Sequence, residues 1–219
     1  MDDERVRRSY ERAHDPSRVL ALSDGVFAII ITLLVLEIHV PELAGGQTLT
    51  DAAREIRPSL VAFLISFVVV AIAWAGHRDL FALIQRTDRI LVWLNIVYLL
   101  PLCIVPFGAS LIARYEEDAV ALRMYGFLLL LIAVTRLCIW WYATGRSHLL
   151  FHPVDSRSRL DGVAVVAVPG AVYALAIAIA EAAPRASLAI YALAPVLYFI
   201  GVIIARTSAP PGSAEQDFT

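Results

Sequence analysis

The sequence predicts an all-α membrane protein with six transmembrane helices per chain, and three observations carry that prediction. First, 59% of the 219 residues are hydrophobic and the mean hydropathy is +0.72, whereas a soluble domain is nearer half apolar. Second, the apolar residues gather in six runs, about 16–38, 59–77, 90–112, 120–143, 162–181 and 186–206, and a helix needs roughly 20 such residues to cross a bilayer. Third, the charges concentrate between the runs, and unequally. All 18 basic side chains are arginine, and with six spans twelve fall on the side of the termini and five on the other, Arg136 lying inside a run. That asymmetry predicts a multi-pass protein of the cell membrane with both termini in the cytoplasm. Residues 1–15 read as a cytoplasmic tail, 16–206 as the transmembrane domain, and 207–219, rich in Pro, Gly and Ser, as a disordered tail. A net charge of −2 gives no electrostatic footprint for nucleic acid; the partner implied by composition is the lipid bilayer.

Each element has its own justification. Asp15 and Pro16 are an N-cap and a first-turn proline for span one. No small-residue cleavage site follows Thr32, so this run reads as a retained span and not a signal peptide. A loop from His39 to Pro58 follows, broken by Pro41, Gly45 and Gly46, with Asp51–Ile56 as a short amphipathic helix capped by Thr50. Span two ends in Gly76-His77-Arg78-Asp79. Span three contains Pro101 and Pro106, which predict a kink, and Asn95, a polar spot. Arg114–Asp118 is a tight charged link, span four contains Arg136, and Gly145–Asp161 is the next link. Cys103 and Cys138 lie in apolar runs and read as buried free thiols acting as small hydrophobes.

Polar residues inside span one single it out. Ser23, Asp24 and Gly25 interrupt an apolar stretch, and a carboxylate there has to face protein or water. Gly25, Ile29, Thr32 and Leu36 fall at steps of 4, 3 and 4, one face of a helix. That face is either a helix-packing seam or the lining of a path. Thr32 by itself reads as a hydroxyl bonded back to the Ala28 carbonyl.

The stretch Ser23-Asp24-Gly25-Val26-Phe27-Ala28-Ile29 resembles the FSDGVFAI signature of the transmembrane protein 175 family, the bacterial and lysosomal potassium channels. Arg18 stands where the family has its arginine, Leu22 replaces the usual phenylalanine, and Trp74-Ala75-Gly76-His77 resembles the family's Trp-x-x-His. The resemblance covers roughly 15–206. It implies a potassium channel, modestly selective over sodium, whose pore is lined by span one. Ile29 and Leu36 would then form apolar rings, with Thr32 as a hydroxyl ring between them and Gly25 on the same lining. Arg18, Ser23, Asp24, Trp74 and His77 would form a structural network at the cytoplasmic edge; the plainer reading is an interfacial ion pair with a snorkelling Arg18. Larger members carry the six-span unit twice, so a single unit implies a homotetramer. Potassium is the permeant ion, and no cofactor or resident metal is implied.

Other residues point to less. Arg136, charged and inside a span, needs a partner, and Glu37, Glu181 or a backbone carbonyl would serve. His148 and His152 are four apart with no further ligand at close spacing, which reads as a surface loop. No phosphate-binding loop, nucleophile elbow or paired carboxylates suggest an enzyme, and the Thr-Val-Gly-Tyr-Gly carbonyl filter is absent. The competing class is a secondary transporter, or proton-coupled carrier, using Asp24 and His77. Broken midplane helices and repeats would mark it, but Phe27–Ile31 is unbroken and no repeat is visible.

Overall fold

The computed structural model describes residues 15–41 and 48–207, with side chains as far as Leu197. The expected tails, 1–15 and 207–219, lie outside the described residues but for Asp15 and Thr207, as do the expected loop breakers Gly45 and Gly46. The described residues form six long helices: α1 (Ser17–Leu36), α2 (Leu49–Phe81), α3 (Arg89–Arg114), α4 (Ala119–Thr144), α5 (Ser156–Ile179) and α6 (Pro184–Thr207), with a 3-10 turn at Ser147–Leu149 between α4 and α5. α1 to α5 are each long and apolar enough to cross a membrane, and the described part of α6, Pro184–Leu197, is apolar too. The protein is therefore a multi-pass helical membrane protein.

Caps set most of the starts. The Asp15 carboxylate accepts the Ser17 amide at 2.9 Å. Asp88 accepts Leu91 N–H at the head of α3, Asp118 accepts Val120 and Ala121 at the head of α4, and Asp155 accepts Arg157 and Ser158 at the head of α5. Each leaves one or two fewer orphan amides in the first turn.

Two boundaries differ from the sequence expectation. α2 is one helix of 33 residues, not a short amphipathic helix followed by a separate span. Its cap is Thr48 and not Thr50: the Asp51 carboxylate accepts both Thr48 N–H and Thr48 Oγ1, at 2.9 and 2.7 Å. The helix passes through Pro58, whose missing donor costs about 3 kcal/mol in a helix interior. The buried spine beyond it, Ala62, Ile65, Ser66, Val69, Val70 and Ala73, holds the helix in place. α5 likewise begins six residues before 162, because Asp155 caps a polar first turn that extends beyond the apolar run.

α3 and α4 lie side by side at the centre, with α5 packed on α4 and α6 against α5, α2 and α4. α1 packs against α2 and α3. Three tyrosines with no exposed surface tie the layers together. Tyr98 donates to the Ala73 carbonyl, Tyr125 and Ser66 share a hydroxyl–hydroxyl bond of 2.9 Å, and Tyr191 donates to the Leu122 carbonyl. Tyr191 passes so close to α4 that a side chain at Gly126 would collide with its hydroxyl. At one end of the bundle the α2–α3 and α4–α5 links pair as a short bridge, Ile84 to Leu150, with Gln85 N–H donating to the Leu149 carbonyl at 2.8 Å.

Cys103 and Cys138 are free, but both are exposed, which corrects the expected burial. Cys103 shares the outer face of α3 with Ile104 and Phe107. In lipid an apolar side chain gains little by turning inward, so residue polarity does not say which face of a span it occupies.

Candidate functional site: the open face of α1 and the polar contacts behind it

α1 has two unlike faces. Val19, Ser23, Phe27, Ile30 and Leu34 are buried, at steps of 4, 4, 3 and 4, a stripe that packs onto α2 and α3. The other side is largely exposed among the described residues. Ile29 is 59% exposed and Leu36 66%, Gly25 and Thr32 are exposed, and a side chain at Gly25 would touch no atom within 4 Å. The four residues singled out by their spacing thus share the open face.

The helix is continuous from Ser17 to Leu36, so within it the backbone carbonyls bond their own helix. What this face offers to its surroundings is side chains. Thr32 is the polar one among the four. Its hydroxyl donates to the Ala28 and Ile29 carbonyls at 3.1 and 2.8 Å, as its local reading predicts, and the oxygen lone pairs remain on the exposed side.

Behind α1 the polar residues form two separate groups. The buried group is Ser23, His77 and Asn95, all within 1% of complete burial. His77 Nε2–H donates to Asn95 Oδ1 at 2.8 Å, Asn95 Nδ2 donates to Ser23 Oγ at 3.0 Å, and Ser23 Oγ donates to the Val19 carbonyl at 2.9 Å. This relay joins α1, α2 and α3 through one side chain from each. The imidazole lies parallel to Tyr98 and stacks on Phe81 at 4.4 Å, with Phe27 tilted beside it. His77 Nδ1 has no hydrogen-bond partner, so Nε2 alone fixes the ring.

The second group is on the open side, where Trp74 Nε1–H donates to Asp24 Oδ1 at 2.9 Å. Asp24 and His77, expected in one network, take different hydrogen-bond partners, Trp74 and Asn95. Arg18 is exposed and joins neither group. Asn95, which the sequence shows only as a polar spot, proves to be the hub. Its position inside an apolar span was the available signal, since a buried amide in lipid has to find partners.

Arg136 takes the third partner considered for it. Its Nη2 donates to the Gly76 carbonyl at 3.1 Å, and its guanidinium covers Gly76 so closely that a Cβ there would collide with it. Glycine at 76 thus admits the arginine, and α4 is tied to α2 one residue from His77. Among the described residues no group of three or more His, Cys, Asp or Glu side chains converges in a metal-binding arrangement.

The chain is thus a bundle of membrane-spanning helices in which one edge helix packs one stripe inward and leaves an apolar and hydroxyl face exposed. Comparison with known proteins makes this specific. Residues 18–106 match the family model described as endosomal/lysosomal potassium channel TMEM175. A potassium channel of Streptomyces collinus is 33% identical over 189 residues, 84% of this chain and 92% of the relative. Human TMEM175, named an endosomal/lysosomal proton channel, is 27% identical over 134 residues, which is 27% of that longer protein. The crystal structure of a lysosomal potassium-selective channel TMEM175 homolog from Chamaesiphon minutus superposes with a TM-score of 0.74 at 29% identity, covering 84% of this chain and 96% of that one. The chain belongs to the TMEM175 family of ion channels, and it is a cation channel.

Proposed function

We propose that the chain assembles as a homotetramer around a pore lined by α1 and passes potassium in preference to sodium. The observation that carries this reading is the open face of α1. Gly25, Ile29, Thr32 and Leu36 run along it exposed, while the opposite face is packed. Copies of this face around an axis would set Ile29 and Leu36 as apolar rings with the Thr32 hydroxyls between them. Since α1 is unbroken, selectivity rests on side chains and not on a carbonyl filter. The Asp24–Trp74 bond on the open side, and Ser23, Asn95 and His77 behind it, hold α1 at its angle and register.

The test is flux from liposomes containing the purified chain. A channel passes potassium down its gradient without a coupled ion. Uptake that requires an imposed proton gradient would instead support the carrier reading, in which Asp24 and His77 move protons. The name of the human relative makes proton permeation a second conductance to measure in the same liposomes. Burial of His77 and its different hydrogen-bond partner from that of Asp24 argue against a proton relay through that pair.

Both termini are assigned to the cytoplasm, with the arginine-rich end of the bundle. Single cysteines at Ser17 and Thr48, in a background with Cys103 and Cys138 replaced, should react differently with a membrane-impermeant maleimide. On intact cells position 48 should label, and position 17 only after permeabilisation; the reverse pattern would invert the topology.

A further inference from the structure

Two pairs of arginines, one at each end of the bundle, meet different partners. At the end where α3 stops and α4 begins, Arg123 pairs with Glu181 at 2.6 Å and Arg185 with Glu117 at 2.7 Å. At the opposite end, Arg146 and Arg159 make no ion pair among the described residues. They lie on aromatic rings: Arg146 over Tyr142 at 3.8 Å and Arg159 over Trp141 at 3.9 Å. Both arginines line a cleft of about 810 Å³ between α3, α4 and α5.

The guanidiniums are held in place and not free to snorkel at random. Arg159 Nε donates to Thr144 Oγ1 at 3.1 Å and its Nη2 to the Trp141 carbonyl at 3.2 Å. Its backbone carbonyl accepts the Trp140 indole N–H at 3.0 Å. Tyr142, under Arg146, is fixed by donating its hydroxyl to Asp88 at 2.6 Å. The other oxygen of Asp88 accepts the Leu91 amide. Both carboxylate oxygens are therefore engaged by other donors, with Arg146 and His148 in the field of Asp88.

Below the arginines the cleft turns apolar, walled by Ile90, Leu94, Leu137, Cys138 and Val163. Trp141 is 54% exposed and Trp93, near the head of α3, 61%, and exposed tryptophans at helix ends mark the headgroup level of a bilayer. The cleft thus presents positive charge at headgroup depth and an apolar wall running toward the membrane interior.

We propose that this cleft binds one anionic phospholipid, its phosphate between Arg146 and Arg159 and an acyl chain along the wall formed by Leu94, Leu137 and Val163. Charge complementarity selects the occupant. Basic pockets between spans at the arginine-rich side are the recurrent way of holding such headgroups, and forked guanidiniums suit a phosphate better than a point charge does. A zwitterionic lipid would bring a compensating cation against the arginines. The proposal rests on the membrane-spanning fold and not on the pore reading.

Cys138, exposed on the cleft wall, is a built-in reporter. Full-length chain carrying Cys103→Ser, in detergent, is titrated with phosphatidylglycerol or phosphatidylcholine while maleimide labelling of Cys138 is followed. Phosphatidylglycerol should slow labelling at concentrations where phosphatidylcholine does not. The Arg146→Gln/Arg159→Gln variant should need about 10- to 30-fold more phosphatidylglycerol for the same protection. Because that variant removes two packed side chains, Val163→Trp supplies an independent check: it fills the apolar wall, keeps both arginines and should also abolish protection. Equal protection by both lipids, or by glycerol phosphate alone, would overturn the proposal in favour of a nonspecific groove or a soluble phosphate site. A change of oligomeric state in the arginine variant with lipid protection intact would mark the cleft as a subunit contact and overturn it too.

Discussion

Replacing Ile29 or Leu36 with alanine should move the reversal potential measured between sodium and potassium solutions toward zero. The argument starts from dehydration. An ion entering a narrow apolar ring loses part of its water, and an unbroken α1 offers no carbonyl in exchange. Sodium holds its water more tightly than potassium, so the same ring penalises sodium more. Selectivity then depends on girth, and shortening either side chain widens the ring enough for both ions to stay hydrated. The potassium-to-sodium permeability ratio should fall roughly 3- to 10-fold, up to about 1.4 kcal/mol of barrier difference. Phenylalanine at either position should close the pore to both ions. Thr32→Ala should weaken the preference without closing the pore, because the oxygen that Thr32 presents, its proton bound to Ala28 and Ile29, is then missing. An unchanged reversal potential in the Ile29→Ala/Leu36→Ala double variant would place the filter elsewhere than α1.

Asn95→Leu should be the most damaging conservative-volume change in the buried layer, and its effect should be on assembly and not on ion preference. The leucine leaves His77 Nε2–H without an acceptor and Ser23 Oγ without a donor, both fully enclosed. Each orphaned buried polar group costs about 1–3 kcal/mol, so the variant should lose roughly 2–4 kcal/mol and melt earlier, with a lower yield of intact oligomer on size exclusion. The same asymmetry provides the control. Removing all three polar partners together, as Ser23→Ala/His77→Phe/Asn95→Leu, leaves nothing unsatisfied, and the phenylalanine can keep the stacking on Phe81 and Tyr98. The triple variant should therefore be more stable than Asn95→Leu alone and should retain potassium preference. If the triple variant is stable but no longer conducts or selects, the relay handles ions and is more than a brace for α1.

The sequence by itself determined the class of fold and the grouping of four residues on one face of α1. Crossing a bilayer is a local requirement: about twenty apolar residues, satisfied span by span, with arginines distributed between the ends. Each of the six runs could therefore be read without knowing its neighbours. The 4, 3, 4 spacing of Gly25, Ile29, Thr32 and Leu36 is likewise a property of one helix, and the structure puts all four on one open side. Caps such as Thr48 and Asp155 extended two helices beyond their apolar cores, since a hydrogen-bonded first turn needs no lipid-facing side chains. What only the tertiary structure decided was which polar group meets which. Ser23 and Asn95 are 72 positions apart, and nothing in the spacing of either states that their helices touch at that height. Asp24 and Ser23 are adjacent in sequence but about 100° apart around the helix; that single step sends one to Trp74 on the open side and the other to the buried relay. Arg136 had three plausible partners by composition, and the choice of the Gly76 carbonyl depended on how closely α4 approaches α2 where residue 76 has no side chain.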